Sequence, residues 1–139
     1  RKAESELKAL GFDIWFISID KPELLYASLD DPETDYTVLS DSGLEATRAF
    51  GLAFLLPDEL VEKYLDYEID IENASGENHH VLPAPSTYII GIDGMIRFQY
   101  TNPDYRVRLH PEVLLSAARA YQSDQDMRLQ RRYKERKNP

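Results

Sequence analysis

The order of apolar and polar positions divides the chain into short segments whose period changes several times. Residues 2–10 place Ala3, Leu7 and Leu10 on one helical face at i, i+4 and i+7, and Gly11 follows as a stop. Residues 12–19 form a nearly continuous run of aromatic and β-branched side chains, the pattern of a strand covered on both faces in a parallel sheet. Asp20-Lys21-Pro22-Glu23 then puts proline in a first turn and acid near the positive end of the dipole. It predicts a helix with Leu24, Leu25 and Leu29 on its apolar side, ended by Asp30-Asp31-Pro32. Residues 36–39 read as a second short strand. Ser42-Gly43-Leu44-Glu45 is a capping-box pattern, opening a helix through Ala46 and Phe50 that stops at Gly51. Strand–helix–strand–helix order predicts an α/β fold, a parallel or mixed sheet with flanking helices.

The second half differs. Leu60, Val61, Tyr64 and Leu65 give residues 58–67 a modest apolar stripe, so a surface helix is expected there, followed by an exposed loop through Gly76. Residues 87–92 and 95–101 are β-rich runs joined by Asp93-Gly94, a pair suited to a type I′ hairpin turn. The second run alternates, with Ile96, Phe98 and Tyr100 on one side and Arg97, Gln99 and Thr101 on the other. After a turn at Asn102-Pro103-Asp104, Pro111-Glu112 opens a final helix with Val113, Leu114, Ala117, Ala118 and Tyr121 on its apolar side.

Composition fits a globular domain: 139 residues, 42% hydrophobic and 29% charged. The longest apolar run, at 51–56, is far short of the ~20 residues of a membrane span. The net charge of −9 is uneven. Arg128, Arg131, Arg132, Lys134, Arg136 and Lys137 crowd the last dozen positions against Glu135 alone, leaving ten of the sixteen bases and twenty-four of the twenty-five acids in residues 1–127. A body with that net charge of −14 repels nucleic acid and anionic membrane, so neither is an expected partner. Residues 1–122 are expected to form the domain. Residues 123–139 are expected to be a basic C-terminal helical extension or tail, either solvated or a partner-binding arm. The chain opens within an amphipathic helix and shows neither an initiator methionine nor the apolar stretch of a signal peptide. It reads as joined midway, and a cytoplasmic location is the expectation.

Candidate chemistry is sparse. The chain has no cysteine, hence no thiol nucleophile, thiolate metal site or disulfide of its own. His79 and His80, adjacent in sequence, cannot easily face one ion, and with Glu77 they read as polar loop residues rather than a zinc site; no metal is expected. His110 beside Pro111 suits a cap. The eight acids among residues 58–77 lack the ligand spacing of a calcium loop. No Gly-x-Ser-x-Gly or phosphate-binding glycine loop occurs, and Ser40, Ser42, Ser86, Asp20 and Asp93 each have a cap or turn role. Leu82-Pro83-Ala84-Pro85-Ser86-Thr87 leads straight into the hairpin. Pro85 is either a plain strand entry or a cis proline that leaves the Ala84 backbone exposed to an extended, thiol-bearing partner.

The run Pro85-Ser86-Thr87-Tyr88-Ile89-Ile90-Gly91-Ile92-Asp93-Gly94-Met95-Ile96-Arg97-Phe98 resembles the thioredoxin-fold, peroxiredoxin-like proteins of the alkyl hydroperoxide reductase/thiol-specific antioxidant (AhpC/TSA) family. Ser18-Ile19-Asp20 closing the first strand, Val38-Leu39-Ser40-Asp41, Phe50-Gly51 and Asn102-Pro103-Asp104-Tyr105-Arg106 are similar to its pattern as well, so the likeness spans roughly residues 3–121. It implies a thioredoxin-like mixed sheet with flanking helices whose N-terminal strands are missing from this chain. The implied activity is thiol oxidoreduction, by peroxide reduction or thiol–disulfide exchange, with antioxidant and redox-homeostasis roles and no cofactor. In the family the redox cysteine opens a helix, where the dipole lowers its pKa. Residues 2–10 look like the end of that helix, which puts the cysteine and its central strand upstream of Arg1 and no catalytic residue in the chain. Ala84, Pro85, Ser86 and Thr87 become the far wall of the substrate site. The implied partners are a peroxide or disulfide substrate and a thiol reductant, with a homo-oligomer as one assembly state. One departure stands out: Pro85 occupies the position where typical peroxiredoxins carry the arginine that polarises the peroxide. The alternative is a redox-inactive thioredoxin-like binding or assembly module.

Overall fold

A computed structural model describes residues 2–28 and 36–137. The expected helix end at Asp30-Asp31-Pro32 lies outside the described residues. Twelve described elements alternate helix and strand as far as α4, after which come a second helix and three successive strands before the last helix: α1 (Lys2–Ala9), β1 (Trp15–Ser18), α2 (Pro22–Ala27), β2 (Thr37–Ser40), α3 (Glu45–Ala49), β3 (Ala53–Leu55), α4 (Asp58–Asp66), α5 (Ile71–Ser75), β4 (Val81–Pro83), β5 (Ser86–Ile90), β6 (Ile96–Thr101) and α6 (Pro111–Lys137). The α/β character is as the pattern predicts. Among the described residues, however, the strands form three two-stranded ladders rather than one continuous sheet. The chain divides into two compact units, one holding α1, the β5–β6 hairpin and α6, the other holding β1 through β4 with their helices.

In the second unit β1 and β2 run parallel, Trp15 opposite Thr37 and Ser18 opposite Ser40. The expectation that β1 is covered on both faces fails: Trp15 is 65% exposed, and Phe16 and Ile17 are also open. Phe16 stacks edge-on against Tyr36, ring centres 4.9 Å apart, but no described strand pairs along the other edge of β1. The small core here is Ile19, Leu25, Leu44, Leu56 and Ile71. β3 and β4 pair antiparallel, Ala53 opposite Pro83, a ladder the pattern does not predict because three-residue strands carry almost no period. The expected loop after α4 contains the short helix α5. Its Ile71 and Ser75 are buried at i and i+4, Asp70 caps it by accepting the Asn73 N–H at 2.9 Å, and Ser75 Oγ donates to the Ile71 carbonyl at 2.9 Å.

The first unit is held by α1 and α6, joined by Arg119 and Glu6 at 2.5 Å, and by the hairpin. The hairpin turn is not type I′. The Gly94 N–H donates to the Gly91 carbonyl and the Gly91 N–H to that of Met95, while φ is +78° at Gly94 and not positive at Ile92 or Asp93. One left-handed residue after an ordinary turn fits the longer loop, and glycine takes that conformation without the Cβ penalty. His110 caps α6 as expected, accepting the Glu112 N–H on Nδ1. The helix then runs unbroken past residue 122. Its buried row is Leu115 and Ala118, not Val113, which is 49% exposed, since counting by three and four from Leu115 passes Val113 by.

Candidate functional site

The segment 84–87 is fixed by backbone bonds on each side. The Ala84 N–H donates to the Leu52 carbonyl at 2.9 Å, extending the β3–β4 ladder by one bond, and the Asn102 N–H donates to the Pro85 carbonyl at 3.1 Å. Ser86 stands opposite Thr101, with Ser86 Oγ donating to Thr101 Oγ1 at 3.0 Å, and Thr87 stands opposite Tyr100. All four residues are half-buried. Every described peptide bond is trans, so Pro85 is a strand entry and not the cis proline of the other reading. Ala84 does not offer its N–H to a partner strand either, because Leu52 already takes it. The ladder that takes it is the one the periodicity missed.

A second polar cluster gathers at the carboxyl ends of the parallel strands, the end at which open α/β sheets bind ligands. Ser18 Oγ donates to Asp20 Oδ2 at 2.7 Å and Ser40 Oγ to the Asp20 carbonyl at 2.7 Å. Asp41 is buried, and its carboxylate accepts the Ala46 N–H at 2.9 Å and the Thr47 N–H and hydroxyl at 2.7 Å each. Burial pushes this carboxyl up, but the Thr47 hydroxyl and the N–H groups of Thr47, Ala46 and Glu45 outweigh it and hold the group below its ordinary value. The Ser42–Glu45 capping box is therefore displaced by one residue. A buried anion is a stronger acceptor of helix amides than a hydroxyl, and the residue before α3, Leu44, sits at φ +64° with no side-chain cap bond. The signal was present as Ser-x-Asp and Ser-Asp closing the two strands.

The histidines separate. His79 Nδ1 accepts the Val81 N–H at 3.1 Å, which leaves Nε2 to donate to the Ser42 carbonyl at 3.1 Å, the Nε2–H tautomer. His80 Nε2 meets Glu72 Oε1 at 2.6 Å. Among the described residues no three of His, Asp and Glu converge as metal ligands. These groups orient backbone, and each has its partner within the fold. The described residues thus present a strand entry bonded on both sides and polar strand ends, and the sequence has no cysteine to act as a thiol nucleophile.

Comparison with known proteins supplies the context. No curated protein matches the chain. The model of the AhpC/TSA family matches residues 1–99, well over half its length and including β1, β2 and the segment 84–87. The thioredoxin-like fold follows from that match, as does a family-level role in thiol-based peroxide or disulfide chemistry: the chain belongs to the AhpC/TSA family.

Proposed function

We propose that the chain is part of a thiol oxidoreductase whose reactive cysteine lies upstream of Arg1, with Ala84, Pro85, Ser86 and Thr87 as the far wall of its substrate site. The family match over residues 1–99 carries this reading, since family chemistry needs a thiol and the 139 residues contain none. In that protein a thiolate would attack the O–O bond of a peroxide, becoming a sulfenic acid, or a disulfide sulfur, forming a mixed disulfide. A thiol reductant would complete either cycle. Pro85 in place of a peroxide-polarising arginine gives disulfide exchange equal standing with peroxide reduction.

One observation favours a second reading, a redox-inactive binding or assembly module. The Ala84 N–H, which an extended partner would use, is already bonded to Leu52. Thiol-dependent consumption of peroxide and of a model disulfide by the purified chain, beside the chain carrying its native upstream segment, separates the two. We expect no turnover from the 139-residue chain and turnover from the longer one. Turnover by the cysteine-free chain sinks the proposal. A longer chain without a reactive thiol leaves the module.

A further inference from the structure

Helix α4 sets two rows side by side. Val61 and Leu65, four residues apart, share one face, and Asp58, Glu62 and Asp66 repeat at the same spacing along the adjacent one. Lys63, the one base among residues 58–77, is two positions on from Val61 and so points about 200° away from it. The apolar row is therefore flanked by acid and not by the lysine. The three acids are exposed, and none of the described ion pairs involves them.

The short helix α5 completes a groove against this face. Val61, Leu65 and Ile71 give it apolar walls, Asp70, Glu72 and His80 give it polar ones, and its volume is about 290 Å³. Leu65 remains 52% exposed within it. At just under the ~300–1,000 Å³ of small-molecule pockets, the groove suits one or two inserted side chains better than a drug-sized ligand. Glu72 also lines a second hollow of about 460 Å³, shared with Asn73, Glu77 and Asn78. Lys21 lines that hollow too, its ammonium donating to Asn73 Oδ1 at 3.3 Å. An apolar cleft adjoining carboxamides and carboxylates matches a peptide: a side chain fills the first, and backbone amides and a basic side chain meet the second.

We propose that the α4–α5 groove docks a lysine- or arginine-rich segment of a partner protein. An apolar side chain of that segment sits against Val61, Leu65 and Ile71, and its basic side chains face Glu62, Asp66 and Asp70. Charge complementarity argues for this occupant: of the nine charged residues among 58–77, eight are acids. Nucleic acid and anionic membrane are repelled by the same field. Two copies of the chain also repel each other through the net −14 of their residues 1–127, which favours a separate cationic partner over a second copy. The surface does not depend on the redox reading above, and its test needs no thiol.

Fluorescence anisotropy of a labelled synthetic peptide, two leucines four positions apart among lysines, tests it on the full 139-residue chain. We expect saturable one-to-one binding whose Kd rises at least about tenfold between roughly 0.1 M and 1 M salt, as the screening length shrinks from about 10 Å to about 3 Å. Glu62→Lys/Asp66→Lys, which spares the Asp70 cap and the Glu72–His80 pair, should weaken binding at least about tenfold. Leu65→Ser should weaken it about fivefold, the loss of one partly buried apolar contact. Asp124→Lys/Asp126→Lys, an equal charge change on α6, should leave it within about twofold. Circular dichroism confirms that each variant is folded. No binding overturns the proposal. So does equal binding of a peptide with serine in place of leucine, or an equal loss from the α6 reversal, since either means general charge attraction. Self-association of the chain that the peptide competes away gives the groove to a second copy and overturns it as well.

Discussion

Asp41 performs three tasks with one carboxylate: it ends β2, caps α3 and fixes Thr47 from both its hydroxyl and its N–H. Its folded-state pKa is lowered, so the ionised form is the one the fold binds. The stability it contributes is complete above the unfolded-state value of about 3.9 and is lost as pH falls through the lower folded value. Asp41→Asn should therefore cost about 1–2 kcal/mol at neutral pH, in the range of lost caps and charge-assisted hydrogen bonds. The gap between the two proteins should narrow below about pH 4. Urea denaturation of each at pH 7 and pH 3 measures both effects; a gap that is equal at the two values would mean that the charge contributes nothing. The neighbouring Ser-x-x-Glu pattern marked the right turn for α3 but the wrong acceptor. Spacing locates a helix start, while the choice between two adjacent oxygens depends on which is buried against the amides.

At the scale of elements, the hairpin and α6 interlock at Gly91. The Tyr121 hydroxyl accepts the Ile92 N–H at 3.3 Å, Arg97 pairs with Asp93, and the Arg97 guanidinium lies 6.0 Å from the Tyr121 ring centre. A Cβ on Gly91 would come within 2.7 Å of Asp93 Oδ1 and 2.8 Å of the Tyr121 hydroxyl. Gly91→Ala should therefore destabilise by about 1–3 kcal/mol, as overpacking does. The cost should be smaller in a Tyr121→Phe background, where one of the two obstructing oxygens is gone; thermal melts of the four proteins of that cycle read the difference. Equal costs in both backgrounds would mean that Tyr121 does not close on Gly91. Elements with long local patterns were legible from sequence: α1, the alternating β6 and the start of α6 each repeat a period over several residues. β3, β4 and α5 were not, because three to five residues among acids or prolines carry too little pattern. The same limit applies to the strand entry at Pro85. Its motif is local and readable, and the hairpin register brings Asn102 to Pro85, but the Leu52 carbonyl that takes the Ala84 N–H comes from a distant segment that no local pattern links to it.

At the scale of the whole molecule, the exposed strand β1 is the feature that membership in the family and the bare geometry both bear on. Trp15, Phe16 and Ile17 have the composition of a buried parallel strand, yet only β2 pairs with β1 among the described residues and all three side chains are open. A strand of that composition with an open edge favours association with another strand. If the thiol-bearing strand and helix lie upstream, as proposed, their natural place is against β1, and covering it would remove tens of square ångströms of aromatic surface from water for each ring. Trp15 is the chain's one tryptophan, so its emission reports this strand alone. In the 139-residue chain it should emit at long wavelength and be readily quenched by acrylamide. In the chain extended by its native upstream segment, emission should move to shorter wavelength and the quenching constant should fall severalfold. Identical spectra in the two proteins would place the upstream segment away from β1 and remove the structural support for a thiol beside Ala84–Thr87, whatever chemistry that segment performs elsewhere.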